Sequence, residues 1–88
     1  MNVRKQEAAN YLVESERLPG QWHKVDLLAF ETFGECSCEH FTIRLLPLLR
    51  SDRRPINGPC KHINAARHAF TEDVLRRMLE LERTNPPR

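Results

Sequence analysis

Glycine is scarce in this 88-residue chain, and the three present, Gly20, Gly34 and Gly58, are too scattered to form a phosphate-cradling loop. No apolar run approaches the roughly 18 residues of a membrane span. The opening residues, Asn2 to Gln6, run straight into an ordinary amphipathic stretch instead of a charged-then-apolar export signal. Net charge is nearly absent, at +2, so bulk charge gives no reason to expect nucleic acid. Aromatic residues that could stack on bases are few, and Trp22 and Phe41 read as core. The cysteine count is three, which no internal disulfide framework can use up. These absences lead us to expect one soluble domain in a reducing compartment, cytosolic or nuclear, not secreted, without membrane contact or small-molecule substrate.

What is present is concentrated at the cysteines. Cys36-Ser37-Cys38 and Cys60-Lys61-His62 hold all three, separated by a 21-residue gap, residues 39–59. Two x-spaced pairs supplying three thiolates and one imidazole suit a single tetrahedral Zn2+ with no open position, which is a structural rather than a catalytic arrangement. A chain this short buries a marginal core, and a structural metal is a usual remedy. His40 is the nearest rival to His62 as fourth ligand, while His23 and His68 read as bystanders. A nucleophilic Cys60 would need a base and an orienting group in defined geometry, which sequence adjacency to His62 does not provide. The acid pairs Glu14/Glu16 and Glu72/Asp73 read as a solvated strand face and a helix start. The expectation is therefore a non-enzyme.

Before the first cysteine, residues 11–15 and 22–30 read as strands joined by a turn at Leu18-Pro19-Gly20-Gln21. Gly34 can supply the sharp turn that a metal knuckle needs, because an extended Cys-Ser-Cys would send its sulfurs to opposite faces. The dense apolar residues Phe41, Ile43, Leu45, Leu46, Leu48 and Leu49 suggest a short helix ending or kinking near Pro47. Residues 50–59 read as a basic loop. A helix starting there runs to about Phe70, with Cys60 at or before its cap and His62 in its first turn. Thr71, followed by Glu72 and Asp73, predicts the start of a separate last helix reaching about Arg83, stopped by Asn85-Pro86-Pro87. The expected class is α+β, a small zinc-stabilised ββα finger with an additional C-terminal helix. Its expected divisions are a lead segment 1–9, the finger 10–70, an amphipathic helix 71–84 and a tail 85–88.

The order Cys-x-Cys, gap, Cys-x-His on such a framework resembles the SWIM zinc finger. The likeness extends to the flanks, Cys36-Ser-Cys38-Glu-His-Phe41 and Pro59-Cys60-Lys61-His62-Ile63. It implies one structural Zn2+ on Cys36, Cys38, Cys60 and His62 over roughly residues 10–70, and it implies association with DNA or with other proteins.

Charge is uneven along the chain. Residues 1–40 carry four Lys/Arg against seven Asp/Glu, and residues 41–88 carry ten against five. The expected nucleic-acid contacts are Arg50, Arg53, Arg54, Lys61 and Arg67, with salt-dependent binding. The acidic first half opposes this, and the same residues read equally as a solvated loop. The expected protein contact is the apolar stripe Val74, Leu75, Met78 and Leu79, which would either pack on the hairpin or serve a partner or a homodimer. The function these features suggest is a stand-alone DNA-binding or DNA-machinery adaptor. The alternative is a protein-interaction module or inhibitor acting through its last helix.

Overall fold

The computed structural model describes residues 1–84, so the expected tail 85–88 lies outside the described residues. The chain is α+β. Four antiparallel strands, β1 (Val3–Glu7), β2 (Asn10–Glu14), β3 (Trp22–Asp26) and β4 (Glu35–Cys36), form a sheet in the order β1-β2-β3-β4. A π-helical segment (His40–Leu45) leads into α1 (Leu46–Arg50), and α2 (Lys61–Thr84) closes the fold. Among the described residues no helix is long and apolar enough to cross a membrane.

The expected hairpin is β2–β3, in register from Asn10↔Asp26 to Glu14↔Trp22. Its connection is closed by the Gln21 N–H on the Leu18 carbonyl at 3.0 Å, with Gly20 at φ +93°. Alternation places Tyr11 and Val13 of β2 and Val25 of β3 inside, where they join Phe41, Leu45, Ile63 and Ala66 in the core. The lead segment is itself a strand. β1 pairs with β2 at the sheet edge, and its exposed Arg4, Lys5, Gln6 and Glu7 leave no apolar period to read. Lys5 Nζ also reaches Asp73 on α2 at 3.0 Å, which holds that carboxyl below its ordinary range.

Three expectations are corrected. β3 ends at Asp26, not Phe30, because the chain then enters a left-handed turn with Phe30, Glu31 and Thr32 at φ 52°, 54° and 72°. Pro47 does not end its helix. The helical stretch continues past it, and the change from π- to α-helix falls just before it, with the Leu46 N–H still on the Phe41 carbonyl. Finally, α2 is a single 24-residue helix with no break at Thr71. Thr71 is not a cap, since its hydroxyl donates to the Arg67 carbonyl one turn back at 3.0 Å. No Gly or Pro lies between Lys61 and Thr84 to interrupt the ladder. Among the described residues of α2 the last buried one is Ala66, and residues 74–82 are all exposed.

Gly34 turns the chain with a positive φ as expected, but it closes the turn before β4, and the bend between the two cysteines comes later, after Ser37. The φ of Gly34 is +100°, and a Cβ there would lie 2.9 Å from Cγ2 of Ile63, which is wholly buried. Gly20 shares the positive φ but has nothing within 4 Å of a built Cβ. Gly34→Ala is therefore expected to cost about 2–3 kcal/mol and Gly20→Ala only about 1. Urea midpoints of the two variants check this, since a similar loss in both would mean that the Ile63 contact contributes nothing.

Candidate metal centre

Each ligand pair is built by a different local device. Cys36 ends β4, and Ser37 then keeps the strand partner by two bonds. Its N–H donates to the Lys24 carbonyl at 3.1 Å, and its hydroxyl accepts the Lys24 N–H at 2.9 Å. The bend after Ser37 carries Cys38 into the same pocket as Cys36. Cys60 precedes α2 and caps it, its carbonyl accepting the Asn64 N–H at 3.2 Å, and His62 follows in the first turn. This is the placement the spacing required.

The donor atoms of Cys36, Cys38, Cys60 and His62 all lie within 4.8 Å of one another, and all four residues are buried. Sulfurs about 2.3 Å from a tetrahedral ion lie about 3.8 Å apart, so the cluster needs only a slight contraction to close on one. The Cys38 sulfur accepts the Phe41 N–H at 3.4 Å, and the backbone at Cys38 and Ile63 favours the charged forms of Cys36 and Cys60. Such donors favour thiolates. Cys60 is held low, at about 5, chiefly by a hydrogen bond from the Cys36 thiol. Cys36 is pushed up by donating that bond and by burial, and Cys38 is pushed up mainly by burial.

His62 decides the character of the site. Both its ring nitrogens are buried and neither has a hydrogen-bond partner. A neutral imidazole has one lone pair and one N–H to satisfy, and a metal ion held by the cluster would take up the lone pair. The four residues form a cluster that can hold a metal ion. No protein-family model, no curated protein and no solved structure matches this chain.

The rival ligand, His40, is exposed and outside the cluster. With Arg17 and His23 it lines a cleft of about 560 Å³ that Cys38, Cys60 and His62 also line. His23 is nearer than a bystander would be, its ring centroid 4.4 Å from that of His62. Burial and the neighbouring His62 lower its pKa. His68 is exposed and pairs with Glu72 at 3.0 Å.

Of the basic residues expected to contact nucleic acid, three have partners within the chain. Arg50 and Arg53 are exposed. Arg54 donates to the Glu31 carbonyl at 3.4 Å, and Lys61 lies 3.7 Å from Glu16. Arg67 clamps the left-handed turn, one guanidinium nitrogen donating to the carbonyls of Thr32 and Phe33, both at 2.9 Å. Sequence reasoning missed this role because the turn has no glycine at its three positive-φ positions to announce it. Arg67→Met is expected to cost about 1.5–3 kcal/mol of stability while metal content stays at the native value. Thermal unfolding and elemental analysis of the same sample check both halves.

Proposed function

We propose that this chain is a SWIM-type zinc module in which one structural Zn2+ organises a small adaptor that binds another protein and catalyses no reaction. The observation that carries the metal is the buried Cys3His cluster with its unpartnered imidazole. Three sulfurs and a nitrogen select zinc over the hard cations, and four protein donors leave no coordination position for substrate. The SWIM assignment is supported by the order Cys-x-Cys then Cys-x-His, by the preceding hairpin and by the helix that begins between the last two ligands. Protein contact is supported by the second half of α2, where Val74, Leu75, Met78 and Leu79 stand exposed instead of packing on the hairpin.

The test is native and denaturing mass spectrometry of the purified chain. One zinc per chain, removed by a chelator with loss of helical circular dichroism, supports the proposal. A stable fold without metal would return the cysteines to a plain hydrophobic core. The nucleic-acid reading rests on the exposed loop arginines. A salt-sensitive gel shift abolished by Arg53→Glu with Arg54→Glu would restore it over protein contact.

A further inference from the structure

The outer half of α2 carries more than a loose apolar stripe. Phe70, Thr71, Val74, Leu75, Met78 and Leu81 fall on one side of the helix at spacings of three and four. In heptad terms Thr71 and Met78 occupy a, Val74 and Leu81 occupy d, Phe70 and Arg77 occupy g, and Leu75 and Glu82 occupy e. Val74, Leu75 and Met78 are 37, 54 and 55% exposed. Leu79 falls at b, away from this seam. At its base the seam opens into an apolar groove of about 670 Å³, lined by Leu28, Ile56, Phe70 and Thr71 among others. Ile56 is wholly exposed there, so apolar surface continues from the helix onto the body of the protein.

We infer that the seam binds a second copy of this chain, the two α2 helices lying parallel and in register. The flanking positions select that occupant. In a parallel pair, g of one helix faces the following e of the other. Phe70 then meets Leu75 of the second copy, and Arg77 meets Glu82, each twice by symmetry. Apolar faces apolar and plus faces minus. An antiparallel pair sets e against e and places Leu75 beside Glu82, stranding a carboxylate on an apolar contact. Within one chain Arg77 touches Asp73 at 3.4 Å, but Arg77 is exposed and Asp73 keeps Lys5 as a second partner, so the guanidinium can turn to an interhelical carboxylate. The seam is two heptads long, so the dimer is a reversible one. The inference rests on the adaptor reading only in taking α2 as an interaction surface, and zinc content is measured separately from self-association.

Sedimentation equilibrium of the zinc-loaded chain tests it. The native chain is expected to show a monomer–dimer equilibrium that Met78→Glu abolishes without loss of zinc. Arg77→Glu alone or Glu82→Arg alone should weaken the dimer about tenfold, because each sets two like charges face to face. Mixing these two variants should recover native affinity as a heterodimer, since every facing pair is then of opposite sign. A chain that stays monomeric up to about 1 mM overturns the inference. So does a dimer that Met78→Glu leaves intact, or a mixture of the two charge variants no tighter than either alone. A heterologous protein seated on α2 of a strictly monomeric chain would likewise overturn it, while leaving the zinc result untouched.

Discussion

With the proposed zinc in place, His62→Ala or Cys38→Ser is expected to abolish metal binding and cooperative melting together. Structural zinc sites of this donor type contribute about 10–16 kcal/mol at neutral pH, as much as the whole net stability of a typical domain. Here the dependence is strong because the two ligand pairs come from different elements far apart in sequence. Cys36 and Cys38 end the sheet, and Cys60 and His62 begin α2, with 21 residues between the pairs. Without the ion, the buried donors that remain must hydrate or take up protons, and either change opens the core around Ile63 and Phe41. Elemental analysis with thermal circular dichroism measures the effect. A variant with native metal content and native melting temperature would show that the missing residue is not a ligand.

The second large effect is expected at Phe41. Its ring is fully buried, with its centroid 6.2 Å from that of Phe30, and its backbone N–H supports the Cys38 sulfur. Phe41→Ala keeps the N–H but empties the centre of the core, at a cost of about 3–5 kcal/mol. Phe41→Leu should cost less, about 1–2 kcal/mol. Because the ligands survive, added zinc should raise the melting temperature of Phe41→Ala by mass action, which it cannot do for a ligand variant. Equal stability of the alanine and leucine variants in urea would mean that the aromatic volume is not needed.

The metal cluster was legible in the sequence because its signal is chemical. Few arrangements other than a shared ion call for two x-spaced pairs of soft ligands, and the fold need only bring them together. The β2–β3 hairpin was legible from alternation and from Leu18-Pro19-Gly20. The edge strand was hidden because only Val3 on it is half-buried, and its polar residues satisfy solvent as a loop would. The turn at Phe30–Thr32 was hidden because aromatic, acidic and β-branched residues rarely adopt positive φ, and a side chain distant in sequence, Arg67, secures it there. At Thr71 the local cue pointed the wrong way. Thr-Glu-Asp is a good helix start, but the same three residues are tolerated mid-helix when Glu72 and Asp73 find His68, Lys5 and Arg77 as partners.

Because α2 is unbroken, whatever fixes its first half also fixes the direction of its outer half. Cys60 and His62 hold its start, Arg67 ties its second turn to the Phe30–Thr32 turn, and Asp73 ties it to Lys5 on the edge strand. Asp73 lies 11 residues beyond His62, about 16 Å along the axis. The exposed residues 74–82 therefore project from a base held at three points along one rigid rod, and their aim is set by the sheet as much as by the cysteines.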